Sequence, residues 1–271
     1  MISTAAGISR QGRAELAAVL GSGKRFITPD DVAGALGVGP GAAAARLSRW
    51  AREGWLRRVR RGLYIGVPAD AADPGAWSED ALVVAAAVWT PCYFTGWTAA
   101  GHWALSEQVF RTTVLKTVGR VRASHARLLD HDYLLAHASG DAMRWGVRSE
   151  WRGEARLRFA DPARTVIDIL SNPELAGGIR HAAEITSAYL DEHEPGTLID
   201  YGDRSGNRAI FKRLGYLTEA LGLDVPHLTE ACAERVSAGI SALEPGGAPG
   251  GRRSMRWGLR LNMTITPQEP S

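Results

Sequence analysis

Cysteine is nearly absent. The 271 residues hold two, Cys92 and Cys232, far apart and with no CxxC or CxxH neighbour, which excludes a disulfide framework and a zinc site of the usual spacing. Lysine is also scarce, since 29 of the 32 basic residues are arginine. A GC-rich genome produces that bias unaided, so the position of a charge along the chain matters more than the total. No run approaches the roughly 20 apolar residues of a membrane-spanning helix. The N-terminus lacks the basic-then-apolar order of a secretory signal, so the expectation is a cytoplasmic chain with no membrane role. The seven histidines form no HxH, HExxH or HxxxH pattern, and the Gly/Pro-rich stretch 244–253 has no Walker lysine. No GxSxG surrounds Ser205, which reads as part of a turn leading into the next helix. In Glu154-Ala155-Arg156, arginine stands where a nuclease of the acid-then-Glu-x-Lys type needs lysine. These gaps point to a non-enzyme with no metal and no cofactor.

What is there is uneven charge. Residues 1–68 hold eleven basic and four acidic residues, a net +7, which leaves the remainder at −4. A basic module on a mildly acidic body is the distribution of a nucleic-acid binder with a separate partner or effector domain. Within the module, Arg10 to Leu20 has the apolar spacing of a first helix, and Arg25-Phe26-Ile27 is a short extended piece. Thr28-Pro29-Asp30-Asp31 starts a second helix over about 29–36, with a capping hydroxyl, a proline in the first turn and acids that complement the dipole. Gly37-Val38-Gly39 makes a tight turn, and Pro40-Gly41 opens a third helix that runs to about Glu53.

At about 100° per residue the third helix turns Ala43, Leu47 and Trp50 inward and Gly41, Ala45, Ser48, Arg49 and Arg52 outward. Small residues followed by serine and arginine allow close approach to a major groove, where arginine reads guanine edges. Arg46 lies on the flank, suited to phosphate. Two strand-like pieces then surround an Arg-Arg-Gly turn in Trp55 to Ile65, a wing whose Arg57, Arg58, Arg60 and Arg61 suit phosphates. This is the pattern of a winged helix-turn-helix that binds double-stranded DNA.

Residues 69–76, small residues around Pro74 that follow Pro68, read as a linker to a body over 77–271. The body alternates helical and strand-like periods. Helices are expected from Ser78, as a cap, to Trp89, over 96–105, from Pro162 to near Asn172, over 178–192 and 207–221, and from Thr229 to Ala242. Strands are expected at 112–118, 133–136 and 155–159, with a terminal one through Trp257, Leu259, Leu261, Met263 and Ile265. The fold class is therefore α+β, an N-terminal winged helix-turn-helix followed by a mixed α/β C-terminal domain.

The Arg-Arg-Gly-Leu-Tyr wing, then Asp161-Pro162-Ala163-Arg164-Thr165-Val166-Ile167-Asp168, then Asn207 with Arg213-Leu214-Gly215-Tyr216 and a final Trp257 to Asn262 strand, together resemble the AbiEi family of antitoxins. That resemblance implies a type IV antitoxin. Its N-terminal domain would repress its own operon at promoter inverted repeats, and its C-terminal domain would counter a cognate nucleotidyltransferase-like toxin, directly or indirectly. It also marks Arg164, Asp168, Asn207 and Arg213 as polar positions of the antitoxin domain, each equally suited to a cap or salt bridge inside the fold. The residues alone leave two other readings open: a winged-helix regulator whose body senses a small ligand, and a nucleic-acid-processing enzyme docked by the winged helix.

Overall fold

The computed structural model describes residues 9–68, 70–71, 73 and 76–266. The expected linker falls in part on residues 69, 72, 74 and 75, which lie outside the described residues. The chain divides into two units, residues 1–88 with 127–132 and residues 89–126 with 133–271.

In the first unit, α1 (Arg10–Leu20) starts at Ser9, whose Oγ accepts the Gly12 N–H at 3.1 Å, and buries Leu16 and Val19. After β1 (Phe26–Ile27), α2 (Pro29–Leu36) begins with a complete capping box. Thr28 Oγ1 accepts from the Asp31 N–H while Asp31 Oδ2 accepts from the Thr28 N–H at 2.8 Å. Gly37, at φ +62°, ends α2 in the left-handed conformation that glycine tolerates and turns the chain into α3 (Pro40–Arg52). The hairpin β2 (Leu56–Arg60) and β3 (Leu63–Gly66) follows, and β1 pairs antiparallel with β3, giving the strand order β1-β3-β2. Leu16, Val19, Ile27, Val32, Ala43, Leu47, Trp50, Leu56 and Tyr64 form one core. Val32 and Leu47 are wholly buried, each contributing about 1.5–3 kcal/mol. Three helices with a strand after the first and a hairpin after the third fit a winged helix-turn-helix.

Beyond the hairpin, α4 (Ala81–Val88) begins later than Ser78. Asp80 Oδ1 takes the N–H groups of Leu82 and Val83, whereas the Ser78 hydroxyl is drawn away to the Leu129 carbonyl at 2.6 Å.

The chain then carries β4 (Cys92–Phe94), α5 (Gly96–His102), β5 (Thr112–Thr117), β6 (His125–Leu128), β7 (His131–His137), β8 (Val147–Arg152) and β9 (Ala155–Ala160), all within the second unit except residues 127–128 of β6 and 131–132 of β7. The strands form a mixed sheet in the order β6-β7-β5-β4-β9-β8, with β4 parallel to β9 and antiparallel to β5. Next come α6 (Pro162–Ser171), α7 (Ile179–Glu192), α8 (Gly196–Ser205), α9 (Ala209–Ala220) and α10 (Pro226–Glu234). Helix α6 packs on α5, α7, α8 and α9 and is buried along almost its whole length. A small sheet, β10 (Ser241–Ala242), β12 (Leu259–Leu261) and β11 (Arg252–Ser254), completes the unit.

Two expected elements are shorter than their periodicity suggested. The helix expected to reach Ala242 ends at Glu234, because Gly239 sits at φ +88° with its carbonyl held by Lys212 Nζ and Ser241 then pairs with Leu259. The terminal strand is paired only over Leu259–Leu261, where β10 and β11 supply partners on either side. The expected turn at Ser205 belongs to the last turn of α8, with Gly206 at φ +71° closing it.

Candidate nucleic-acid interface

Helix α3 separates its faces as its sequence dictates. Ala43, Leu47 and Trp50 are wholly buried, whereas Gly41, Ala45, Ser48, Arg49 and Arg52 are exposed. An added Cβ at Gly41 would meet nothing within 4 Å, so the start of the outward face is low and open. The two helix starts in this region differ. The first turn of α2 is closed by its capping box, whereas α3 begins at Gly39 with no side-chain cap, leaving backbone N–H groups at its positive end for an anion.

The arginines divide by partner. Arg46 Nε donates to Glu15 Oε2 at 3.0 Å, and that hydrogen bond holds the Glu15 carboxyl below its ordinary pKa. Arg57 donates to the Trp77 carbonyl and lies 3.2 Å from Asp130 Oδ2, with its side chain mostly buried. Of the five arginines expected on phosphates, these two therefore have internal partners. Arg49 is 3.9 Å from Glu53, a loose i, i+4 pair on an exposed face. Arg52, Arg58, Arg60 and Arg61 are exposed and have no side-chain hydrogen bond or ion pair among the described residues.

The wing presents its charge through a bulge. In the β2–β3 pairing Arg58 faces Tyr64 and Arg60 faces Leu63, so Val59 is an extra residue on β2. Val59 turns into the interior at 5% exposure, and Arg58 and Arg60 on either side of it both point outward. Counted from buried Leu56, unbroken alternation would have turned both of them inward. Gly62, at φ +76°, makes the turn beside Arg61.

The C-terminal positions lie elsewhere. Arg164 and Asp168, one turn apart on α6, are buried and joined at 3.1 Å. The Asp168 carboxylate also accepts from Lys116 Nζ (2.8 Å), Thr95 Oγ1 (2.8 Å) and Tyr93 Oη (3.0 Å). Burial alone would raise its pKa, but Lys116 and then Arg164 outweigh that and hold it below the usual value. The Arg164 guanidinium lies 3.4 Å from the centre of the Trp145 ring. Sequence spacing found the Arg164–Asp168 pair but not Tyr93, Thr95 or Lys116, which reach it from β4, the start of α5 and β5 and carry no local signal. Asn207 Oδ1 accepts the Ala209 N–H at the start of α9, and its Nδ2 donates to Ser171 Oγ. Arg213 is buried, donating to the carbonyls of Leu170, Ala242 and Leu243, and burial pushes its pKa down to about 10. It therefore stays charged at neutral pH and ties α6, α9 and β10 together. None of these four side chains is on the winged module.

No grouping of three or more His, Cys, Asp or Glu suited to a metal occurs among the described residues, and no helix among them is long and apolar enough to cross a membrane. No curated protein matches the chain. The fold resembles the crystal structure of the RV2827C protein from Mycobacterium tuberculosis, with a TM-score of 0.66 and 14% identity over 95% of this chain and 93% of that one. At that identity the likeness is one of fold. Residues 14–65, from within α1 to the end of the wing, match the family model described as "Transcriptional regulator, AbiEi antitoxin", which bears out for the N-terminal module the family resemblance read from the sequence.

Proposed function

We propose that this protein is a DNA-binding transcriptional autorepressor and antitoxin, acting in the cytoplasm, that counters a nucleotidyltransferase-like toxin. In this reading residues 1–68 are the DNA-binding domain, residues 69–76 the linker and residues 77–271 the antitoxin domain. The observation that carries it is the set of unpaired outward arginines. Arg52 on α3 and Arg58, Arg60 and Arg61 on the wing keep their charges free, beside an α3 face low enough to enter a major groove. Gly41, Ala45 and Ser48 allow the approach. Arg49 and Arg52 supply the main base-directed donors. Arg58, Arg60 and Arg61 hold phosphates, while Arg46 and Arg57 brace the module from within and reach phosphate only at its edge. The family match over residues 14–65 supports transcriptional regulation as the class of activity. Arg164, Asp168, Asn207 and Arg213 serve the antitoxin domain by holding its shape, since each is spent on internal partners.

The test has two arms. Arg49→Ala with Arg52→Ala is expected to abolish the footprint on the protein's own promoter while leaving the fold intact, and an unchanged footprint would overturn the assignment of α3. Co-expression with a nucleotidyltransferase-like gene from the same operon should restore growth, and it should do so in the double mutant too, because repression and neutralisation are separate tasks of separate domains. Failure of the native chain to rescue growth would remove the antitoxin role and leave the regulator.

A further inference from the structure

Strand β8 ends the six-stranded sheet, with β9 on one side and no strand on the other among the described residues. Its backbone direction follows from one bond. The Asp161 N–H donates to the Gly146 carbonyl at 2.9 Å, extending the β8–β9 register, in which Val147 faces Ala160. Hydrogen-bonded and non-bonded pairs alternate along an antiparallel ladder, so Arg148, Glu150 and Arg152 turn their backbone groups toward β9. Val147, Ser149 and Trp151 turn theirs outward. The strand has no proline, and Trp151 is 72% exposed, an open edge of the kind proteins ordinarily blunt.

We infer that β8 pairs with the β8 of a second copy of this chain, antiparallel about a two-fold axis at Ser149. The register is selected twice over. Centred on Ser149, all three outward residues meet outward residues, Ser149 facing its counterpart and Val147 facing Trp151, so that every free N–H and C=O of the stretch finds a partner. The same register sets Arg148 against Glu150 at both ends of one face and Val147 against Trp151 at both ends of the other. Centring on Arg148 places that arginine opposite itself, and centring on Glu150 places two glutamates together and Arg148 against Arg152. Like charges directly opposite each other destabilise a strand pair, and opposite charges or aromatic-aliphatic contacts favour it. The inference rests on β8 alone and stands whether or not the DNA reading does.

Sedimentation equilibrium of the full chain at up to about 100 μM, where a pair of micromolar affinity is assembled, should show twice the monomer mass. A monomer throughout would overturn the inference. Arg148→Glu and Glu150→Arg should each shift the chain to monomer by placing like charges opposite, and the two together should restore the dimer. Glu150 also lies 3.1 Å from His102, and Arg148 lies over Trp103. The restored double exchange separates pairing across the axis from simple loss of those contacts. Dimers that persist in both single variants would mean another face, and would equally overturn it. Ser149→Cys should cross-link on oxidation, because a hydrogen-bonded pair sets the two Cα atoms about 5.5 Å apart, within disulfide reach. Arg148→Cys should not, and the native Cys92 and Cys232 are buried.

Discussion

Asp168 joins more buried charge than any other carboxylate described in the second unit. It answers both Lys116 and Arg164, and its side chain is only 3% exposed. Removing its charge leaves the buried Arg164 and the mostly buried Lys116 without their counter-ion. Asp168→Asn is therefore expected to cost about 3–5 kcal/mol, read by urea unfolding. The sign with pH follows from the lowered pKa. Unfolded, the carboxyl titrates near about 3.9, and folded it titrates lower, so its stabilisation is complete above the unfolded value and is lost as pH falls through the folded one. Between about pH 5 and pH 1 the melting temperature of the native chain should fall more steeply than that of Asp168→Asn. Parallel curves would show that Asp168 is not held as the anion.

At the scale of elements, the distant pieces of the resemblance to AbiEi antitoxins turn out to touch. Gly215 lies on α9, and Trp257 precedes β12 with its Nε1 held by Glu219 at 2.6 Å. A Cβ on Gly215 would stand 2.1 Å from Trp257 Cζ3. Alanine gains about 0.5–1 kcal/mol in a helix over glycine, but forcing a fixed, fully buried indole aside costs about 1–3 kcal/mol or more. Gly215→Ala should thus destabilise despite the better helix former, measurable as a lower urea midpoint with unchanged slope; a rise would mean that the indole moves freely. The elements that were legible share one property, that their signal is local. The first three helices and the wing are bounded by Thr28, Gly37, Pro40 and Gly62, and their apolar residues recur at the helical or strand period. Helix α8 was not legible, because Pro195, Gly196 and Gly202 are poor helix formers and blunt its period. Gly202 is there since the Phe211 ring comes within 2.7 Å of where its Cβ would be. Strands β4 and β8 were equally silent, the first being three residues long and the second exposed on most of its positions. The candidate interface was legible in position but not in pairing. Nothing in the sequence indicated that Arg46 would be taken by Glu15, or that Arg57 would turn to the Trp77 carbonyl and Asp130.

For the molecule as a whole, that pairing decides how DNA affinity should depend on salt. The first 68 residues carry a net +7, but a charge already neutralised by a carboxylate releases few counterions when it meets a phosphate. Each phosphate contact contributes about 0.9 to the slope of log K against log salt on duplex DNA. Arg60→Ala with Arg61→Ala removes two unpaired wing charges, so the slope should become shallower by about 1.8, with affinity lowered across operator and non-operator sequences alike. Arg46→Ala, whose native side chain is already paired with Glu15, should leave the slope near that of the native chain while lowering the stability of the module. Gel shifts on operator and random duplexes over a salt series check both expectations. Equal slopes for the wing mutant and the native chain would place the DNA away from the hairpin. A loss confined to one base position would mean that the wing reads sequence.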